Sequence, residues 1–276
     1  MTTNCKSKIA SNSLFVVIFA FVSLPLIICL INSFRSTADL IHGFVRLPET
    51  LTLENYEYVI NKRDIFHYAA NSIFITAFGV LTSLIVNPFI AYCIAINWEK
   101  RSYRVLYIIL SSLMFIPVKV VLFPLIKIYY FLGLMNIGGL LLYYAVFVIP
   151  ETVFMLVPYF RFFKGELREA ALMDGCSSLR FYRKIFFPVC RPFIITVMIL
   201  NTVWIWNDFF IPLMILNKTP SMWTLPIFIY NYLGRNSIHQ GYSFAACQIA
   251  LLPIILFYAL FHKKIIDGLN LKSQRI

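Results

Sequence analysis

The stretch Leu14–Ile31, LFVVIFAFVSLPLIICLI, carries no charged side chain and a single hydroxyl. As helix it is about 27 Å long, close to the hydrocarbon thickness of a bilayer. The rest of the chain repeats the signal. Of its 276 residues 60% are hydrophobic and 13% charged, about half the charge of a soluble domain, and the mean hydropathy is +0.79. So much apolar surface requires a lipid solvent. Five further runs of similar character follow, at about 69–96, 106–130, 138–157, 193–216 and 243–261. The second is too long for one straight crossing and is expected to tilt, to bend near Gly79 or Pro88, or to start outside the hydrocarbon. The first run follows Lys6 and Lys8 as a secretory signal would, but it lacks a small-x-small cleavage site and reads as a span. The expectation is an all-α membrane protein of six transmembrane helices forming one domain over residues 1–276.

Charge sets the orientation. With the N-terminus inside, most of the 24 Lys and Arg fall on the cytoplasmic edges: Lys6 and Lys8; Lys100, Arg101 and Arg104; the cluster from Arg161 to Arg191; and Lys263, Lys264, Lys272 and Arg275. Arg35, Arg46, Lys62, Arg63, Lys218 and Arg235 fall outside. Both termini are therefore expected in the cytoplasm. The net charge of +12 is dealt out along membrane edges and forms no basic domain, which argues against nucleic acid as a partner and for membrane lipid. The six Cys contain no C-x-x-C pair and have no His at zinc spacing, so free thiols are expected and no metal.

Two polar segments interrupt the spans. The outer one, about 33–68, contains LPETLTLENYEYVI, which is expected to form a short surface helix. The inner one, about 159–192 between the fourth and fifth spans, contains REAALMDGCSS at Arg168–Ser178. From Glu166 it reads as a short helix stopped at Gly175 by a left-handed backbone, with SSLRFYRKIFFP starting a second helix after a Ser cap. Ala170 and Ala171 leave a low knob suited to a partner's cleft, and Glu169 and Asp174 offer acids to that partner's basic residues. An idle amphipathic helix on the membrane is the competing reading.

Polar residues inside spans are site candidates by default. Glu151 follows Pro150 in the fourth, with Tyr144 and Phe147 at i−7 and i−4 on its face. Asp208 closes WIWND in the fifth, about 26 Å along the helix from Arg191, with Asn201 and Trp204 on its face. Such a stripe either lines a water-filled path for sugars or serves as interfacial anchors and packing bonds. Lys119 and Lys127 sit in a third span broken by Pro117 and Pro124, and Glu151 is a candidate counter-ion for Lys119.

The central loop also resembles the EAA loop of permeases from ATP-binding-cassette importers. Glu169, Ala170 and Ala171 are followed at the family's spacing by Gly175, then Ile185, then Phe187 and Pro188 where the family has Leu-Pro. TLENY, Asn71-Ser72, Ala91-Tyr92, LGLMN, WND and FHKKIIDGL are similar in kind and order to the carbohydrate-uptake branch, specifically to the maltose-type second permease. Lys164 and Gly165 stand where the family has Ile-Pro, and the ending GLNLKSQRI departs from the usual tail, which puts contacts of that tail in doubt.

The resemblance implies a bacterial or archaeal plasma-membrane permease. It also implies a second homologous permease, two ATP-binding subunits and an extracytoplasmic sugar-binding protein as partners. Glu169 would contact the ATPase, Ala170 and Ala171 would form the knob, Asp174 would lie beside it and Gly175 would allow the turn. No G-x-x-x-x-G-K-[ST] is present, so ATP would be used by the partners and no cofactor is expected on this chain. An enzyme is not expected: the four His form no H-E-x-x-H, no Ser lies in G-x-S-x-G, and Glu151 and Asp208 lie at different membrane depths. An ion-coupled secondary transporter and an importer of glycerol phosphate or another polar solute are the alternatives.

Overall fold

The computed structural model of the chain describes residues 2–61, 64–163, 165–235 and 239–270. Its elements are α1 (Thr2–Ser33), α2 (Thr37–Leu40), α3 (Glu54–Asn61), α4 (Asp64–Ile96), α5 (Arg101–Leu113), α6 (Val118–Phe131), α7 (Ile137–Phe147), α8 (Ile149–Phe163), α9 (Gly165–Met173), α10 (Ser178–Phe181), a π turn at Tyr182–Phe186, α11 (Phe187–Asn207), α12 (Phe210–Leu216), a 3₁₀ turn at Pro220–Met222, α13 (Leu225–Arg235) and α14 (Gln240–Asn270). Extended pairing among the described residues is limited to an isolated antiparallel bridge between Arg35 and Leu51. Lys62, Arg63, Lys164, Lys272, Arg275 and the last residues of the divergent tail lie outside the described residues.

Five stretches are long and apolar enough to cross a bilayer: 13–33, 65–96, 137–162, 178–207 and 240–263. The expected third span, 106–130, is not one straight helix. It is α5 and α6, bent by 98° between Leu113 and Val118, and it makes a sixth crossing only as a broken span. Pro117 explains the break: it offers no N–H to the preceding turn and forces Ile116 away from helical backbone.

The fifth span also differs from expectation, at both ends. It begins at Ser178 rather than at 193, because α10 continues through the π turn into α11. Pro188 and Pro192 remove two backbone donors there, and a wider turn is a common local adjustment to such a loss. The same span ends at Asn207 rather than at 216. Asp208 takes an extended backbone (φ −68°, ψ 126°), and α12 starts afresh at Phe210.

Within the chain, contacts group into two compact units. The first holds the residues up to His67 together with Phe228–Pro253. Its organising group is Arg35, which is fully buried although it lies past the end of α1. The guanidinium donates to both carboxylate oxygens of Asp39 at 2.8 and 2.9 Å, to Asn32 Oδ1 at 2.9 Å and to the Gly43 carbonyl at 2.9 Å. A bidentate, hydrogen-bonded pair of this kind tolerates burial where an unpaired charge would not. Hydrogen bonding from Arg35 holds the Asp39 carboxyl down to about 2.

The expected surface helix is α3, and its Asn55 donates to the carbonyls of Ser33 and Arg35 that end α1. Gly241 of α14 lies so close to Asn55 that an added Cβ would stand 2.6 Å from the amide oxygen, so only glycine fits. The ring stack of Tyr58 on Tyr242, 4.0 Å between centroids, closes this packing.

The second unit, Tyr68–Ile227 with Ile254 onward, contains both apolar cores. One core gathers Ala91, Val153, Leu156, Ile194 and Val197 beneath an aromatic group of Tyr92, Phe160, Phe181, Tyr182 and Phe186. The other gathers Ile75, Leu140, Tyr144, Ile205, Ile211 and Ile227. Arg161, at the end of α8, lies 3.9 Å over the Trp98 ring and ties α8 to the turn after α4.

Candidate functional site

The loop between α8 and α11 is built around one glycine. Helix α9 stops in a paired arrangement in which the Cys176 amide donates to the Ala171 carbonyl and the Gly175 amide to the Leu172 carbonyl. This is a Schellman ending, which needs a left-handed residue after the last helical turn. Gly175 supplies it at φ +70°, and a Cβ there would meet nothing within 4 Å, so its requirement is conformational and not one of space. Ser177 has the extended backbone of a cap (φ −68°, ψ 152°) but makes no side-chain capping bond; its carbonyl accepts the Phe181 amide at 2.8 Å instead.

The two alanines do not face the same way. Ala170 is exposed with Glu169, Leu172, Met173 and Asp174, and Met173 keeps 88% of its surface. Ala171 is buried under the chain's own aromatic group, beside Tyr92, Phe181 and Tyr182. A knob offered outward is therefore Ala170 with Met173 and Glu169, and Ala171 seats α9 on the spans. The Tyr92 hydroxyl donates to the Ser178 carbonyl at 3.3 Å and adds a polar tie between α4 and α10.

The second candidate region lies where the spans break. The Tyr144 hydroxyl of α7 donates to Asp208 at 3.0 Å, and the backbone amides of Phe209, Phe210 and Ile211 turn toward the same carboxylate, so Asp208 closes α11 and opens α12. Trp204 stacks on Phe147 with centroids 5.4 Å apart and meets Tyr144 edge-on at 6.2 Å. Trp204 and Phe147 also line a cavity of about 430 Å³ together with Glu151, Pro150, Pro117 and Met114. Glu151, Trp204, Tyr144 and Asp208 are thus brought into one neighbourhood, with Phe147 linking them.

Asn201 lies elsewhere. It is buried and donates to Ser83 Oγ at 3.2 Å and Thr152 Oγ1 at 3.1 Å, the same two hydroxyls that accept from Asn87 at 2.9 and 3.3 Å. This four-residue polar node joins α4, α8 and α11, and sequence reasoning missed three of its members. The available signal was Ser83 and Asn87 at i and i+4 in one span, directly adjacent in helical register. Lys119 is not paired with Glu151: its ammonium lies 5.0 Å from the centroid of the Phe210 ring.

Comparison with known proteins agrees with this architecture. Residues 87–269 match the family described as "Binding-protein-dependent transport system inner membrane component". The multiple sugar-binding transport system permease protein MsmG of Streptococcus mutans is 38% identical over 251 residues, 90% of each chain. The probable starch degradation products transport system permease protein AmyC of Thermoanaerobacterium thermosulfurigenes is 31% identical over 245 residues, 89% of each. Among solved structures, a chain of a bacterial ABC transporter involved in the import of the acidic polysaccharide alginate superposes with a TM-score of 0.81 at 23% identity, covering 95% of this chain and 98% of that one, a likeness of fold. The chain belongs to the binding-protein-dependent transport system inner membrane component family, and it is a multi-pass membrane protein similar to carbohydrate-uptake permeases.

Proposed function

We propose that the chain is the transmembrane permease subunit of an ATP-driven importer for a sugar, an oligosaccharide in particular, and that it couples closure of partner ATPases to alternating access. The observation that carries this reading is the continuity between loop and span. An exposed short helix ends in a fixed glycine turn, and the next helix runs without interruption from Ser178 to Asn207. Force on Glu169, Ala170 or Met173 is thereby delivered to α11 as to a lever, and α11 carries Trp204 in the wall of the cavity.

The partners in this reading are a second homologous permease, two ATP-binding subunits and an extracytoplasmic sugar-binding protein. Both termini and the Arg161–Arg191 cluster lie in the cytoplasm, as the distribution of basic residues requires, and the membrane is the plasma membrane. ATP is bound and split by the partners. Oligosaccharide as cargo is supported by the names of the relatives, which concern multiple sugars, starch degradation products and, at 27% identity, arabinooligosaccharides.

The test is uptake of labelled oligosaccharides by cells with and without the chain, under ATP depletion and under an uncoupler. Chain-dependent uptake lost on ATP depletion and kept under the uncoupler is expected. Uptake that survives ATP depletion and collapses with the uncoupler would replace this reading with an ion-coupled secondary transporter.

A further inference from the structure

The cavity of about 430 Å³ lies at the break between α5 and α6 and against the start of α8. Met114, Ile116 and Pro117 belong to the interruption between α5 and α6, and Pro150 and Glu151 to the first turn of α8. Non-helical backbone at membrane depth persists only where it is buried in protein or lines a watered space, so the break between α5 and α6 argues against a lipid-facing wall here. Glu151 points the same way. It carries the only formal charge among the lining residues, and a carboxylate turned to acyl chains would be costly. Lys119 of α6 lies at the Phe210 ring and is absent from the lining.

The chemistry of the lining is therefore one carboxylate, one indole and a ring of aliphatic side chains. A carboxylate accepts hydroxyl hydrogens, and an aromatic side chain covers the C–H face of a sugar ring. The volume lies within the range of small-ligand sites, roughly 300–1,000 Å³. With no cation in the lining, an anionic group entering here loses its hydration and meets a like charge.

We propose that this cavity is the chain's own share of the sugar site within the membrane, and that it accepts uncharged sugar units and rejects acidic ones. The proposal rests on the sugar-importer reading above, to which it adds a place and a charge class. Glu151 is the specificity-determining group, and Trp204 the surface on which the ring lies.

The test uses the whole importer, purified with its partners and reconstituted in liposomes, with maltotriose and trigalacturonate as neutral and acidic probes. Each is assayed for entry and for ATP hydrolysis, in the wild type, Glu151→Gln and Glu151→Lys, with assembly checked by recovery of the ATP-binding subunits. If the wild type imports neither, a panel of other neutral and acidic trisaccharides replaces them. Expected is entry of neutral probes only, with Glu151→Gln lowering the maximal rate of entry about tenfold, the loss of one hydrogen bond to a charged group. The apparent KM, set by capture on the binding protein, stays near the wild-type value, and sugar moved per ATP split falls. A structural defect would lower transport and ATP hydrolysis together. Unchanged entry in both variants, parallel loss of transport and hydrolysis, or entry of an acidic probe through the wild type would overturn the proposal and leave the sugar importer standing. Failure of the whole panel, neutral and acidic, would instead remove the sugar reading and this proposal with it.

Discussion

Gly175 and Ala171 show how differently two adjacent features of one motif are written in sequence. The glycine was legible because a stop after a short helix, followed by Ser-Ser, leaves few backbone solutions, and φ +70° is the one adopted. Gly175→Val places a β-branched residue in that region at a cost of about 1–2 kcal/mol, with no new contact to offset it. Uptake is expected to fall severely while the amount of chain in the membrane stays near normal, as read by transport assay beside immunoblot. Ala171 was misjudged as part of an outward knob, because its direction depends on where Tyr92, many residues away, comes to rest. On the structure, Ala171→Leu is expected to disturb the seating of α9 and lower thermal stability, whereas Ala170→Leu is expected to leave stability unchanged and, in the proposed importer, to lower uptake.

Asp39 belongs to the same scale. Its carboxyl, held at about 2 against an unfolded value near ~3.9, binds fewer protons folded than unfolded. Its contribution is whole above about pH 4 and is lost as pH falls toward 2. Wild type should lose thermal stability over that window more steeply than Asp39→Asn, and parallel curves would show that the Arg35 pair contributes nothing.

At the scale of elements, the spans were read from uninterrupted apolarity, a signal blind to direction. Runs 106–130 and 193–216 are apolar on average despite Lys119, Lys127, Asn201 and Asp208, yet each contains a break whose size depends on what packs against it. Pro117 marked the first in the sequence, but the 98° bend it permits goes with long-range packing, α5 on α8 and α6 on α12. The second break has no proline at its centre. Asp208 makes it, by drawing the Tyr144 hydroxyl and three backbone amides to its carboxylate. The polar node of Ser83, Asn87, Thr152 and Asn201 holds three of these elements in register. Asn201→Leu removes both of its hydrogen bonds and should lower stability in detergent by roughly 0.6–1.7 kcal/mol, the range for side-chain bonds between membrane helices. An unchanged denaturation midpoint would mean that α11 is held by its apolar contacts alone.

At the scale of the whole molecule, most apolar side chains of α1 from Leu14 to Leu30 are exposed, and the exposed face of α9 carries Met173 and Leu172. In the importer proposed above, bilayer or a second permease would cover α1 and an ATP-binding subunit would cover the exposed face of α9. The charge asymmetry expected to orient the chain with both termini inside is a property of the full sequence, so a fluorescent protein fused to the C-terminus should be bright and a phosphatase fusion inactive. The most direct test of the central claim is recovery of partners from gently solubilised membranes, with the tagged chain as bait, in the wild type and in Glu169→Arg. The account predicts an ATP-binding subunit and a second permease with the wild type, and selective loss of the ATP-binding subunit with Glu169→Arg. Recovery of the chain alone in both forms would contradict it and make α9 an idle surface helix.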